Sequence, residues 1–183
     1  MILESQRLRL RPFRETDFPD ILAYGLDPEF YRYLPIEEQT AETLRIFFDE
    51  RMADQEQQSN ERITFAVALN SDDKIIGTIR LGVFDKEERF ADIGYAMDLA
   101  QQGRGYMTEA VKCVLHYCFL ELRLVQIWAT VDKDNSKSWK LMDRLGMRRF
   151  DELPAGLEFP SKPELDYAYC ISKTDYTQLN EVE

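Results

Sequence analysis

The segment from Gln102 to Ala110 has residue types and spacing that suit the binding of a phosphorylated ligand. Gly103 and Gly105 carry no Cβ atom, so the turn between them can expose consecutive main-chain N–H groups. The pattern before the segment predicts a strand, and the pattern after it predicts an amphipathic helix. A helix beginning here adds unpaired amides and the positive end of its dipole. We therefore expect a phosphate site at this turn.

Two glycines with this spacing are also compatible with a tight strand-to-helix turn that binds nothing. The common nucleotide loops fit the segment poorly. No Lys-Ser/Thr pair follows the glycines, as a Walker loop requires. The third glycine of a dinucleotide fingerprint is also missing, because the stretch from Arg104 to Ala110 contains only Gly105. The sequence therefore favours neither ATP nor NAD.

The segment resembles the acetyl-CoA loop of the GNAT acyltransferases, which has the pattern Gln/Arg-x-x-Gly-x-Gly/Ala. Gln102 takes the first position and Gly105 the fourth, while Met107 stands where the family usually has a small residue. The continuation Gly-Tyr-Met-Thr-Glu-Ala is most similar to the branch that acetylates the N-termini of ribosomal proteins. The resemblance therefore implies an N-acetyltransferase.

Two further segments extend this resemblance over nearly the whole chain. Asn135-Ser136-Lys137-Ser138 and the later Leu145-Gly146-Met147 match the Asn-x-x-Ser and Leu-Gly-Phe segments of the same branch, with Met147 replacing Phe. An opening such as Arg7-Leu8-Arg9-Leu10-Arg11-Pro12, followed by Asp17, is also usual there. The ordered combination of the three segments carries more weight than any one of them.

The resemblance implies acetyl-CoA as co-substrate, with its pantetheine arm between two splayed strands. Main-chain groups left unpaired between such strands can bond to the amides of an extended ligand. The pyrophosphate is then expected over the amides of residues 102–107, where Arg104 adds positive charge. The cofactor-binding residues implied are Met97, Asp98, Leu99, Gln102, Gly103, Arg104, Gly105, Tyr106, Met107, Thr108 and Asn135.

Acetyl transfer to an amine also needs a proton donor for the leaving thiolate and a base for the amine. The resemblance assigns the donor to Ser138, although Asn135 or Ser136 could simply cap the helix that follows. Asp92 is the candidate base, acting through water, because related sequences often have Glu at this strand position. An acid on an alternating strand can equally be a solvated side chain. The alternative proton donors are Tyr95, Tyr167 and Tyr169.

The acceptor is predicted from the protonation of amines. An α-amino group has a pKa near ~8 and a lysine near ~10.4, so an α-amine needs less help to become a nucleophile at neutral pH. The leading acceptor is therefore a protein or peptide N-terminus. The alternatives are a small amine, such as an aminoglycoside or a polyamine, and a non-catalytic domain that senses acyl-CoA. A homodimer is compatible with the resemblance.

The length and composition agree with one compact domain, residues 1–183. Hydrophobic residues make up 44% of the chain, and no apolar run is long enough to cross a bilayer. The net charge of −11 disfavours direct contact with nucleic acid or an anionic membrane. Cys113, Cys118 and Cys170 form no metal-binding pattern and are expected to be reduced. Without a secretory signal, the predicted location is cytoplasmic.

The elements that must position these residues follow from the hydrophobic periodicity. The predicted strands are residues 7–11, 63–69, 75–84, 90–98, 125–131, 147–152 and 165–172. The predicted helices lie at about 17–26, 40–52, 106–122 and 137–145, and the polar run 54–61 predicts a loop. By resemblance, the fold class is mixed α/β, with a GNAT-like central mixed sheet of about seven strands and about four flanking helices. The sheet is expected to splay between the fourth and fifth of these strands.

Overall fold

The computed structural model describes residues 1–56, 62–85, 89–151 and 166–180. Within those ranges it has eight strands and five α-helices. The strands are β1 (Leu3–Glu4), β2 (Leu8–Arg11), β3 (Arg62–Leu69), β4 (Ile75–Asp85), β5 (Phe90–Met97), β6 (Gln126–Asp132), β7 (Arg148–Phe150) and β8 (Asp166–Ser172). The helices are α1 (Phe18–Gly25), α2 (Ala41–Glu56), α3 (Tyr106–His116), α4 (Ser136–Arg144) and α5 (Lys173–Asn180). A π-helical turn, Tyr117–Glu121, continues α3.

The strands follow the order β1-β2-β3-β4-β5-β6-β8-β7 in one mixed sheet. Neighbours pair antiparallel from β1 to β3 and again from β6 through β8 to β7, whereas β5 and β6 are parallel. These strands confirm the predicted mixed α/β fold. Internal contacts divide the chain into two compact units. The first unit is Met1–Leu81 with Tyr95–Val114, and the second is Gly82–Gly94 with Leu115–Glu183.

In the first unit, α1 and α2 pack on the strands through an apolar cluster. Ala66 and Ala68 of β3 face this cluster. Leu8 and Leu10 of β2 pair with Leu69 and Val67 and are fully buried on the other face of the sheet. Thr40 caps α2, since its hydroxyl accepts a hydrogen bond from the Thr43 amide at 3.2 Å. The buried cluster consists of Phe13, Ile21, Tyr24, Leu44, Phe48, Ala66, Ala68 and Ile75.

A buried ion cluster holds the end of β2 in the same unit. Arg11 is 1% exposed and donates to the two carboxylate oxygens of Asp17 at 2.8 and 2.9 Å. The same guanidinium bonds both oxygens of Asp73 at 3.2 Å. Removing one partner of a buried pair leaves an uncompensated charge, which is strongly destabilising. Arg11 and Asp17, which belong to the opening segment of the family resemblance, therefore stabilise the fold.

In the second unit, β6 and β8 pair along their whole length, from Gln126↔Ser172 to Asp132↔Asp166. Helix α4 ends where Gly146 adopts a φ of 73°, a left-handed conformation that favours glycine. Helix α5 begins with a capping box. The Ser172 hydroxyl accepts from the Asp175 amide at 3.1 Å, and the Asp175 carboxylate accepts from the Ser172 amide at 3.3 Å.

The parallel pairing of β5 with β6 is short. It includes Phe90↔Gln126, Ala91↔Ile127 and Asp92↔Trp128 and goes no further, although β5 continues to Met97. The prediction that these strands splay apart is therefore confirmed.

Some predicted boundaries are wrong. Residues 54–56 of the expected loop belong to α2, which continues to Glu56. Gln55 anchors this end of the helix by accepting a hydrogen bond from the Phe13 amide at 2.6 Å. Strand β1 and helix α5 are not among the predicted elements. Residues 57–61 of the expected loop lie outside the described residues. Within the described ranges, no helix is both long and apolar enough to span a bilayer.

Candidate active site

The turn between β5 and α3 has the backbone conformation expected of a phosphate-binding loop. Gly103 and Gly105 have φ values of 78° and 79°, in the left-handed region where a side chain is strained. Among the described residues, no atom lies within 4 Å of a Cβ added to Gly103. At Gly105 the nearest atom would be Arg7 Nη2, at 3.5 Å. Backbone conformation therefore requires the two glycines, and the space beside them is open.

Helix α3 begins directly after the second glycine. Its first main-chain hydrogen bond runs from the Glu109 amide to the Gly105 carbonyl at 3.1 Å. The amides of Tyr106, Met107 and Thr108 precede this bond, so the helix offers them no carbonyl one turn earlier. Together with the helix dipole, these N–H groups favour an anion at the turn. Met107 is 7% exposed, which places this departure from the family pattern in the core.

The residues leading into the turn are fixed from both sides. The Asp98 amide donates to Ile76 O on β4 at 2.9 Å, and the Asp98 carboxylate accepts from the Ala100 amide at 2.9 Å. The Gln102 side-chain amide reaches back to the Met97 carbonyl at 3.5 Å. Because successive N–H groups of a strand point to opposite edges, the Met97 amide faces away from β4. The Met97 amide therefore lies on the edge of β5 opposite β4.

Three residues that sequence reasoning left without a role in the site fasten the turn to the first strands. Arg7 donates from Nε to Glu109 Oε2 at 2.7 Å and from Nη1 to the Arg104 carbonyl at 3.0 Å. The Arg7 amide and the Ser5 hydroxyl donate to Glu109 Oε1 at 2.8 and 2.7 Å. Partial burial raises the pKa of the Glu109 carboxyl, but these hydrogen bonds outweigh it and hold the pKa below its usual range.

Asn135 and Ser138 lie together at the start of α4 in the second unit. The Asn135 side-chain oxygen accepts a hydrogen bond from the Ser138 amide at 3.2 Å, so Asn135 is the N-cap. The capping role that the sequence left open is therefore present. It uses the Asn135 side-chain oxygen and the Ser138 main-chain amide.

Asp92 is 4% exposed on β5, beside Trp128 of β6 in the strand register. It is a buried acid, so the reading of Asp92 as a solvated side chain is wrong. Tyr169, a candidate proton donor, is fully buried, and its hydroxyl donates to Asp143 Oδ1 at 3.2 Å. Burial, together with Asp143, raises the pKa of Tyr169 to about 12. The Tyr169 hydroxyl therefore points toward α4 and is poorly suited to donate a proton to the leaving thiolate.

The residues of the turn fit a phosphorylated cofactor. The open space beside Gly103, the first-turn amides and the exposed Arg104 supply the room, donors and charge that a pyrophosphate needs. Among the described residues, no group of three or more His, Cys, Asp and Glu side chains is arranged to hold a metal ion.

Comparison with known proteins identifies the class. A model of the acetyltransferase (GNAT) domain matches residues 7–148. Over 149 residues the chain is 30% identical to the Bacillus subtilis (strain 168) protein named Uncharacterized N-acetyltransferase YnaD, covering 81% of this chain and 84% of that protein. The fold and the turn define an acyltransferase. The chain belongs to the GNAT acetyltransferase family, whose members use acetyl-CoA.

Solved structures agree with this assignment. A GNAT acetyltransferase from Bacillus anthracis has a TM-score of 0.78 and 27% identity, covering 95% of this chain and 99% of that one. Spermidine N-acetyltransferase from Vibrio cholerae, solved with CoA and spermine, has a TM-score of 0.74 and 20% identity, covering 94% of this chain and 99% of that one. The predictions of GNAT membership and of an acyltransferase are confirmed. Assignment to the branch acting on ribosomal-protein N-termini stays a prediction.

Proposed function

We propose that this chain is an acetyl-CoA-dependent N-acetyltransferase that transfers acetyl directly to a primary amine. The observation that carries the proposal is the turn at Gly103 and Gly105, which is followed directly by the first-turn amides of α3. The leading acceptor is the α-amine of a protein or peptide N-terminus. We further propose that residues 1–183 form one N-acetyltransferase domain.

The proposed roles follow the geometry of each segment. Acetyl-CoA supplies the activated acetyl group when bound. The Met97 amide, on the edge of β5 opposite β4, polarises the acetyl carbonyl, and Asn135 binds the pantetheine arm. Ser138, in the first turn of α4, gives a proton to the leaving sulfur. Asp92 accepts the amine proton through water.

Proton energetics support an α-amine acceptor. The pKa of an α-amine is about 8, so a useful fraction of this amine is neutral at pH 7. The pKa of a lysine lies about three units above pH 7, so nearly all of the lysine is protonated. The net charge of −11 favours a cationic acceptor over an anionic one.

A small amine is the second candidate acceptor. The fold of this chain is similar to that of a spermidine N-acetyltransferase, and a polyamine is also attracted to an acidic protein. A domain that binds acyl-CoA without turnover is the third candidate. The two Met departures at 107 and 147 are both buried and remove no reactive group, so they give this third candidate little support.

Competition assays with acetyl-CoA and mass detection test the proposal. The acceptors are a basic peptide with a free N-terminus, the same peptide blocked at its N-terminus but containing lysine, an aminoglycoside and spermidine. We expect the highest kcat/KM for the free N-terminus. If a small amine is acetylated orders of magnitude faster, the proposed acceptor is wrong, although the proposed acetyl transfer stands. Tight acetyl-CoA binding without turnover of any amine would establish the sensor.

Two further features belong to the proposal. Cys113, Cys118 and Cys170 are free thiols, as is usual in the reducing cytoplasm, where we propose that the enzyme works. Burial raises the pKa of Cys118 and of Cys170 to about 12, so neither thiol serves as a nucleophile at neutral pH. We also propose a homodimer, to be tested by sedimentation.

A further inference from the structure

We propose that Arg7 is a positioning residue of the cofactor site, which shapes the phosphate-binding turn and adds positive charge to it. The inference rests on the proposed function, because it assumes that the turn binds CoA. Arg7 lies directly before β2, in a part of the chain that is far in sequence from the glycine turn. Arg7 and Glu109 are separated by 102 residues.

The contacts of Arg7 restrain the turn from two directions. Nε and the main-chain amide hold the Glu109 carboxylate in the first turns of α3, at 2.7 and 2.8 Å. Nη1 holds the Arg104 carbonyl, between the two glycines, at 3.0 Å. Gly103 and Gly105 give the turn unusual conformational freedom, so a side chain that fixes the carbonyl between them limits that freedom. Because the turn is ordered before a ligand arrives, less conformational entropy is lost on binding.

The guanidinium also has a donor left for a ligand. Nε and Nη1 are used, whereas Nη2 has no hydrogen-bond acceptor among the described residues. Nη2 lies 3.5 Å from the position of a Cβ atom on Gly105, on the side where that residue has no side chain. The Arg7 side chain is 43% exposed, and its guanidinium lies over the Tyr106 ring with 4.6 Å between Cζ and the ring centroid. The remaining donor is thus accessible and held at the turn.

Local charge gives this arrangement a second effect. CoA is a polyanion, and the chain itself carries a net charge of −11, so the site needs positive charge close to the phosphates. Glu109 places a carboxylate in the first turns of α3, and Arg7 neutralises it at 2.7 Å. Without Arg7, that carboxylate would repel the cofactor. Arg7 therefore both removes a repulsion and adds an attraction.

Arg9, which lies on β2 two residues after Arg7, provides a matched control. Its side chain is 40% exposed and pairs with Glu4 at 3.3 Å, so it resembles Arg7 in exposure and ion pairing. Its hydrogen bond and ion pair go to Glu4 on β1 rather than to the Gly103–Gly105 turn. Replacing either arginine with Met removes one surface charge and one surface ion pair.

The test measures CoA binding by calorimetry for the wild type and for Arg7→Met, Arg7→Lys and Arg9→Met, with thermal unfolding of each. We expect Arg7→Met to weaken CoA binding by about tenfold or more, since a charge-assisted hydrogen bond contributes on that scale. Arg7→Lys keeps the charge but cannot hold two acceptors with one planar fork, so an intermediate loss is expected. Arg9→Met should bind within about twofold of the wild type. If Arg7→Met does not fold, Arg7→Lys carries the comparison.

A substrate without phosphates separates positioning from general damage to the fold. With acetyl-pantetheine as donor, kcat/KM of Arg7→Met should equal that of the wild type, because no phosphate reaches the turn. Equal losses with acetyl-CoA and acetyl-pantetheine would assign Arg7 to fold stability alone and overturn the inference. Equal CoA binding by Arg7→Met and Arg9→Met would do the same. A wild type that binds no CoA would instead overturn the proposed function.

Discussion

The carbonyl oxygen of Ala96 lies 2.5 Å from the point where a Cβ atom on Gly77 would stand. The Cα atom of Met97 is 3.1 Å from the same point. Strands β4 and β5 therefore approach each other this closely only because residue 77 has no side chain. The approach fixes the strand segment that carries the Met97 amide, for which we propose a direct role in the reaction.

Replacing Gly77 with alanine should displace this segment. A Cβ at 2.5 Å from main chain cannot be accommodated by rotating a side chain, so the strand itself must move. We expect a loss of about 1–3 kcal/mol in the free energy of unfolding and weaker acetyl-CoA binding. Urea denaturation and calorimetry measure the two effects, with Thr78→Ala as the neighbouring control. Unchanged stability and affinity would show that the strands have room to separate.

Gly105 should tolerate asparagine better than valine. At a φ of 79° a β-branched residue is strongly strained, whereas Asn adopts left-handed conformations more readily. We expect Gly105→Val to cost about 1–2 kcal/mol of stability and to lower CoA affinity more than tenfold, with Gly105→Asn in between. Calorimetry on the folded variants checks this order. Equal affinity in all three proteins would remove the phosphate-binding role of the turn.

Ser138→Ala should reduce kcat while leaving CoA affinity nearly intact. The cap of α4 uses the Ser138 amide and the Asn135 side chain, so the substitution leaves the cap in place. Loss of a general acid typically costs 10²–10⁴-fold, and a fall in kcat toward that range is expected. Ser136→Ala, which removes an exposed hydroxyl in the same turn, is the control. Steady-state kinetics giving equal kcat for the two variants would assign proton donation elsewhere.

The stabilising effect of Glu109 should depend on pH. Its pKa is lowered on folding, so its contribution is fully present above its ordinary pKa of about 4.3 and is lost as the pH falls through the lowered value. Glu109→Gln should therefore be less stable than the wild type at pH 7, and the difference should shrink below about pH 4. Urea unfolding from pH 7 to pH 3 measures this, with Glu37→Gln as an exposed control. If the difference in the free energy of unfolding does not vary with pH, the charge of Glu109 contributes nothing to stability.

The fold and the turn could be predicted because their signals are local. Gly103 and Gly105 stand between an alternating pattern and a helical one, and each pattern depends on neighbouring residues only. Ser136 and Asn135 marked the start of α4 in the same way, and the structure shows that Asn135 is the cap. What the sequence left open was which of two local roles each polar residue takes.

The missed features depend on distant or weak signals. Arg7 and Glu109 are far apart in sequence, and neither residue type indicates the other. Helix α5 has a polar sequence, Lys-Thr-Asp-Tyr-Thr-Gln-Leu-Asn, without a continuous apolar stripe. Its position is set instead by the Ser172–Asp175 capping box and by Leu179, whose side chain closely contacts the Cβ position of Gly146. Pattern reasoning does not detect such contacts.

The contact between Arg7 and Glu109 closes a chain segment of 102 residues, which has a consequence for folding. Closing so long a segment costs entropy that only the assembled core can repay, so this contact forms late. Binding competence of the glycine turn should then appear together with cooperative folding rather than as an early property of an isolated helix. During unfolding, the first loss of the turn should register as faster hydrogen exchange at residues 103–108 while the buried strands remain protected.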